Sequence, residues 1–148
     1  MIKNPKKWFC YSAVVILIVT GGAKVWSAFG SAHILQSHDP ILNLHFNQLM
    51  FGVGILELAI AGVCLFTKRE TLSLFLIAWL GTGLFVYRLG LWWTGWQHPC
   101  PCLGNLTDTI HISPNVADNI MKIALAYLIA GSYVLLFRIW QQKKMIPF

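Results

Sequence analysis

The stretch Ala13-Val14-Val15-Ile16-Leu17-Ile18-Val19 decides the fold class, because its apolar residues follow one another without a polar break. A strand of a transmembrane β-barrel alternates in polarity over about ten residues. Neither this stretch nor Leu74–Leu80 alternates, which argues against a barrel. Backbone polar groups in lipid have to be paired, and a helix pairs them within one segment. The sequence therefore predicts an all-α membrane protein.

Further apolar runs have the length of a membrane-crossing helix, which needs about 20 such residues. The predicted spans are Trp8–Phe29, Gln48–Phe66, Leu72–Trp93 and Val116–Trp140. Of the 148 residues, 57% are hydrophobic and 11% are charged, whereas a soluble domain has about 25% charged residues. This composition excludes a soluble globule, a disordered tail and a coiled coil. We expect residues 1–148 to form a single polytopic domain, a four-transmembrane-helix bundle.

The basic residues predict the orientation of the bundle. They fall in the N-terminal tail, in the connection between the second and third spans, and at the C-terminal end: Lys3, Lys6, Lys7, Lys68, Arg69, Arg138, Lys143 and Lys144. The connections 30–47 and 94–115 contain neither Lys nor Arg. By the positive-inside rule, both termini are then cytoplasmic and these two connections lie outside. Topology accounts for the net charge of +6, so membrane lipid is the expected partner and nucleic acid is not.

Two cysteines of the second external connection are the main candidates for chemistry. Cys100 and Cys102 stand one residue apart between Pro99 and Gly104. An oxidising compartment favours disulfides, and a bridge that closes so small a ring is strained and therefore labile. His98, when protonated, would lower the pKa of a nearby thiol. The spacing favours a redox-active pair.

Two other interpretations of this connection stay open. It can be a static loop, with each cysteine free or bridged to a partner protein. It can also be a zinc or copper site built from Cys100, Cys102, His98 and His111, because these ligand types suit both metals. The histidines of the first connection, His33, His38 and His45 with Asp39, form a weaker metal candidate, since solvated loop histidines are common. Cys10 and Cys64 are expected to pack as small hydrophobic residues.

Charged residues within the spans are costly unless they are paired or hydrated. Glu57 lies roughly 15 Å and Arg88 roughly 8 Å below the external ends of their spans, counting 1.5 Å per residue. We predict that Glu57 faces the bundle interior and pairs with Arg88 or Lys24. Such a pair can fix helix register, or it can act as a proton relay or ligand contact. Snorkelling to the external interface is the expected role of Lys24 and Lys122, and Asp118 is placed near the first turn of the fourth helix.

Small and aromatic residues complete the predicted bundle. Small residues let helices approach in lipid, and those expected at contacts are Gly21, Gly22, Ala28, Gly52, Ala59, Gly62, Ala78, Gly81, Gly83, Ala126 and Ala130. Aromatic side chains predict interfacial belts, formed by Trp8, Phe9 and Tyr11 inside and by Trp92, Trp93 and Trp96 outside. A pocket for a quinone or a lipid is the alternative for the aromatic residues.

The motifs resemble those of the DoxX-like membrane proteins, and among them the branch of the methylamine-utilisation protein MauE. Gly22-Ala23-Lys24 is similar to the family's lysine motif, and Glu57 followed by Gly62 to its intramembrane glutamate. Cys100-Pro101-Cys102-Leu103-Gly104, which comes after Arg88, resembles the family's Cys-Gly-Cys-Phe-Gly loop. The chain departs from that loop by having Pro101 in place of Gly and Leu103 in place of Phe.

The resemblance implies a four-helix protein of the bacterial inner membrane that takes part in periplasmic thiol–disulfide handling. MauE is associated with the maturation of a disulfide-rich dehydrogenase subunit alongside a thioredoxin-like partner, and other DoxX-like proteins belong to thiosulfate:quinone oxidoreductase systems. We expect a thiol–disulfide relay through Cys100 and Cys102 that exchanges electrons with a quinone or a second redox protein. The alternatives are a non-catalytic subunit or assembly factor of a membrane complex, and a small-molecule or metal carrier gated by Glu57.

Overall fold

The computed structural model describes residues 5–30, 37–95 and 111–144, and these form a helical bundle. Its helices are α1 (Pro5–Ala28), α2 (Phe46–Phe66), α3 (Glu70–Trp93) and α4 (Pro114–Lys144). All four are long and apolar enough to cross a membrane. Within the described ranges, extended pairing is limited to one isolated bridge between His38 and His45. The predicted all-α, four-helix fold class is confirmed.

Each helix begins two or three residues before its predicted span. The prediction marked where the chain is apolar, whereas backbone hydrogen bonding continues into the polar flanks. The difference is largest in α4, which continues four residues beyond Trp140. Its 31 residues measure roughly 46 Å, at 1.5 Å per residue. The helix therefore extends past a hydrocarbon core of about 30 Å.

The helices pack chiefly in two pairs, α1 against α2 and α3 against α4. A short connection, Thr67–Arg69, joins the pairs. Buried side chains from all four helices meet in one core, which comprises Phe9, Ala13, Val14, Leu17, Ile60, Ala61, Leu74, Ile77, Leu80, Leu128 and Leu135. Large apolar side chains also cover the outside of every helix. Such a surface suits contact with acyl chains, and the chain is a multi-pass membrane protein embedded in lipid.

The two ends of the bundle differ in charge. Lys7 at the start of α1 and Lys68 after α2 line one hollow, so we call this end the basic end. Gly81 of α3 faces Ile129 of α4 and Arg88 contacts Asp118, which makes these two helices antiparallel. The C-terminal turns of α4 therefore also lie at the basic end. The opposite end carries both long connections and is called the loop end.

Close helix contacts occur at only some of the predicted small residues. Gly21 and Gly81 lie against neighbouring helices, and an added Cβ there would come within 3.0 Å of the backbone oxygen of Gly54 and within 2.9 Å of Ile129, respectively. Other predicted contact glycines face open space, and the prediction was wrong for these: Gly22, Gly52, Gly62 and Gly83. Gly54 and Gly131 were missed, although their positions would place a Cβ closest of all to a neighbour.

Candidate functional site

A buried ion pair joins α1 to α2. Lys24 Nζ donates to both carboxylate oxygens of Glu57, at 2.7 and 2.9 Å. The hydroxyl of Thr20 donates to the same carboxylate at 3.0 Å. Lys24 is 2% exposed and Glu57 1% exposed. The carboxylate thus receives three hydrogen bonds, which offset the cost of burying its charge.

Lys24 and Arg88 were the two partners predicted for Glu57, and in the structure Glu57 pairs with Lys24. The expectation that Lys24 snorkels to the interface was wrong, because its ammonium turns inward to the carboxylate instead. The sequence contains a signal that was overlooked. Gly21 stands three residues before Lys24, and Gly54 stands three residues before Glu57. Residues three apart share a helix face, so each glycine lets the two backbones approach where the charges have to meet.

A second ionic group connects α3 to α4. Arg88 Nη2 donates to Asp118 Oδ1 at 3.0 Å, and Lys122 contacts the other carboxylate oxygen at 2.7 Å. Asp118 lies beyond the first turn of α4, which begins at Pro114. This position is near the first turn, as predicted, and the carboxylate contacts both cations. The Lys122 side chain stays largely exposed.

The side chain of Asp39 links the connection between α1 and α2 to α3 by a hydrogen bond. Its Oδ1 accepts hydrogen bonds from the backbone N–H groups of Ile41 (2.6 Å) and Leu42 (3.1 Å). Its Oδ2 accepts a hydrogen bond from the hydroxyl of Tyr87. From the sequence, Asp39 was a loop residue and a member of the weaker metal candidate, and its contact with Tyr87 was not predicted. The Asp39–Pro40 dipeptide was the available signal, because an Asp side chain commonly bonds to the backbone two residues on in a turn.

A cavity of about 250 Å³ lies beside these ionic groups. Lys24, Tyr87 and Arg88 contribute to its wall, and the remaining residues are mainly apolar: Leu42, Leu49, Met50, Val53, Leu56, Trp79, Leu80, Gly83, Leu84, Met121 and Leu125. Pockets of this kind accommodate hydrophobic molecules that carry a few polar groups. Its surroundings do not resemble a metal site, and the described residues contain no group of three or more His, Cys, Asp or Glu side chains that could hold a metal ion.

The predicted redox residues Cys100 and Cys102, with His98, lie outside the described residues. The structure places the ends of their connection, Gly95 and His111, beyond α3 and before α4 at the loop end. The zinc or copper alternative shares this location, since His111 is the one described member of its ligand set.

Cys10 and Cys64 lie at the basic end and line the same hollow as Lys7 and Lys68. Both thiols are free. Both side chains are half-buried and pack against the hydrophobic core, as predicted. These two cysteines therefore lie at the opposite end of the bundle from Gly95 and His111, the described ends of the connection that contains Cys100 and Cys102.

Comparison with known proteins identifies one family. The family described as methylamine utilisation protein MauE matches residues 4–137. This range includes the Lys24–Glu57 pair, Arg88 and the Cys100–Cys102 connection. No curated protein and no solved structure gives a significant match. Because the match extends over most of the four-helix bundle, the chain belongs to the MauE family.

Proposed function

We propose that this protein is a maturation factor of the bacterial inner membrane that acts on extracytoplasmic proteins by thiol–disulfide exchange at Cys100 and Cys102. The observation that carries the proposal is the separation of the two ends of the bundle. Lys7 and Lys68 share the basic end, while the connection with the cysteine pair leaves α3 at the loop end. Membership in the MauE family supports a role in maturation for methylamine utilisation.

The charge distribution supports an extracytoplasmic position for the cysteine pair. Lys and Arg near the ends of membrane helices are retained in the cytoplasm. With the basic end inside, residues 94–115 face the periplasm or the exterior, and both chain termini are cytoplasmic. Disulfides form and persist in that compartment. A pair of cysteines there can cycle between dithiol and disulfide.

The exchange needs no oxidant other than the disulfide of a partner protein, which we take to be thioredoxin-like or disulfide-rich. The thiolate of one cysteine attacks a sulfur of the partner's disulfide and forms a mixed disulfide, releasing one partner thiol. The second cysteine then attacks the mixed disulfide and releases the other partner thiol. The Cys100–Cys102 bridge forms as the partner gains two electrons and two protons. The reverse sequence oxidises a partner dithiol, and His98 is the proposed activator of the attacking thiol.

The ion pairs serve this exchange by holding the helices that present the connection. Lys24–Glu57 sets the register of α1 against α2, and Arg88–Asp118 joins the two helices between which the cysteine pair lies. We assign Lys24, Glu57 and Arg88 positioning roles.

The proposal is tested by replacing the two cysteine pairs separately in cells. Cys100→Ser and Cys102→Ser are compared with the control variants Cys10→Ser and Cys64→Ser. Periplasmic proteins are treated with a maleimide that adds mass to each free thiol and are then separated by size. We expect the first two variants to change the thiol content of at least one periplasmic protein, and the controls to leave it as in the wild type. Unchanged thiol content in all four variants would refute the exchange.

A non-catalytic subunit or assembly factor is the second candidate, favoured by the exposure of Trp92 and Trp93 at the end of α3. Their side chains are 76% and 87% exposed, which suits an interfacial belt and also a contact with another membrane subunit. This function predicts that Trp92→Ala with Trp93→Ala abolishes maturation while Cys100→Ser with Cys102→Ser preserves it. The opposite result supports thiol–disulfide exchange.

A further inference from the structure

Two histidines at the loop end lie side by side in the connection between α1 and α2. His38 and His45 form an antiparallel bridge, and their ring centroids are 4.1 Å apart. The flanking backbone hydrogen bonds run from Asp39 N to Leu44 O (2.8 Å) and from Phe46 N to Ser37 O (3.2 Å). The two histidines are therefore a non-hydrogen-bonded pair, in which side chains on the same face come closest.

The backbone that carries this pair is firmly held. Asp39 is buried, and its carboxylate accepts hydrogen bonds from two backbone N–H groups and from the Tyr87 hydroxyl. One turn along α3, Gly90 lies against the Cδ1 methyl of Ile41. These contacts attach the first half of the turn to α3. Both histidines are exposed. The backbone that carries them is already held in place by these contacts, so a ligand would not have to order it.

The spacing and the chemistry of the pair suit one metal ion. Two nitrogens bound to the same zinc lie about 3.4 Å apart, given Zn–N bonds of about 2.1 Å and a tetrahedral angle. Ring centroids 4.1 Å apart are close enough for one nitrogen of each ring to lie at that separation. Neutral imidazole prefers Zn²⁺, Cu²⁺ and Ni²⁺ to Mg²⁺ or Ca²⁺. The chain carries no Lys or Arg between Val25 and Thr67, so no cation of this segment opposes a bound metal.

The geometry points to a two-histidine site in which His38 and His45 bind a divalent transition-metal ion, with water completing the coordination. Among the described residues, no third His, Cys, Asp or Glu side chain joins the pair. This site shares no ligand with the Cys100, Cys102, His98 and His111 set, and it does not depend on the thiol–disulfide function.

Copper binding to the purified full-length protein in detergent tests the site. The thiols are first alkylated with N-ethylmaleimide, and Cu²⁺ is then titrated while electron paramagnetic resonance records nitrogen couplings. We expect wild type to bind one Cu²⁺ with two imidazole nitrogens. In His38→Ala and His45→Ala, the affinity should fall at least about tenfold, since even the loss of an outer-shell partner costs that much. The control His111→Ala should bind as wild type does.

Two further measurements keep the result interpretable. His38→Gln and His45→Gln replace the rings with polar side chains in case an alanine variant fails to fold, and circular dichroism checks the helical content of every variant. The site is refuted if wild type binds no Cu²⁺, if the His38 and His45 variants bind it as tightly as wild type, or if His111→Ala alone removes the signal.

Discussion

Lys24 illustrates how a cationic side chain is accommodated inside a membrane bundle. Its stem is long enough to reach the interface, yet its ammonium bonds to both oxygens of Glu57. A buried charge whose partner is close and well oriented costs less than one that distorts the surrounding lipid. Arg88 and Asp118 make the equivalent arrangement between α3 and α4. At the scale of single residues, the charges of Lys24, Glu57, Arg88 and Asp118 each have a partner of opposite sign on another helix.

Breaking the buried pair should destabilise the protein more than removing it altogether. Lys24→Met or Glu57→Gln leaves one buried group without its partner, and each should lower the free energy of unfolding by on the order of 3 kcal/mol. The double variant Lys24→Met/Glu57→Gln removes both charges and should lose less than the sum of the two.

Thermal unfolding in detergent, followed by circular dichroism, measures these effects. Lys122→Met serves as the matched control, because Lys122 is largely exposed and should change the midpoint little. Equal losses for Lys24→Met and Lys122→Met would show that the Lys24–Glu57 contact contributes nothing to stability.

At the scale of helices, the contact between α1 and α2 depends on Gly21 and Gly54, which face each other where the two helices are in contact. An added Cβ at Gly54 would lie 2.8 Å from Val25 Cγ2 and 2.9 Å from the backbone oxygen of Gly21. The obstacle on the Gly21 side is backbone, which cannot rotate away. An added Cβ at Gly62 of the same helix would meet nothing within 4 Å.

Alanine at these two positions of α2 should therefore have opposite effects. Gly54→Ala pushes the helices apart and should cost about 1–3 kcal/mol of stability, as overpacking does. Gly62→Ala adds a side chain in open space and should be neutral or stabilise by about 0.5–1 kcal/mol, since it restricts the unfolded chain. Unfolding midpoints in detergent compare the two. Similar losses at both positions would contradict the close contact at Gly54.

The sequence was sufficient to predict the helices but not the faces on which they meet. Apolar length identifies a membrane span, so the four helices were found, with each start two or three residues late and the end of the fourth span four residues short. The contact faces of the helices are harder to predict. Because α2 is apolar on all sides, the positions of its apolar residues do not distinguish its lipid-facing side from its protein-facing side. For this reason Gly52 and Gly62 were chosen and Gly54 was missed. The spacing of Gly54 to Glu57 and of Gly21 to Lys24 would have been the better guide.

Contacts between distant parts of the chain were only partly predictable. Lys24 was among the partners proposed for Glu57 because depth along a helix can be counted from the sequence. The contact of Asp39 with Tyr87 joins a loop residue to a helix residue 48 positions further along the chain. No local sequence pattern indicates that these two residues are close in space. The closeness of His38 and His45 likewise depends on the turn that Asp39 stabilises.

At the scale of the whole molecule, the two ends of the bundle carry different reactive and charged residues. All five histidines and the Cys100–Cys102 pair belong to the two connections of the loop end. The basic end carries Lys7, Lys68 and the free thiols of Cys10 and Cys64. Between the ends, the charges form ion pairs, and an apolar cavity of about 250 Å³ adjoins them. The proposed exchange requires the loop end to face the extracytoplasmic side.

Labelling with a membrane-impermeant maleimide tests this requirement most directly. Variants that keep only Cys100 or only Cys102 are treated as intact spheroplasts after mild reduction. A variant with Gln142→Cys as its one cysteine, at the exposed C-terminal end of α4, reports on the basic end. Cys100 and Cys102 should react in intact spheroplasts, and the cysteine at position 142 only after the membrane is disrupted. Labelling at position 142 in intact spheroplasts, with Cys100 and Cys102 protected until lysis, would contradict the account.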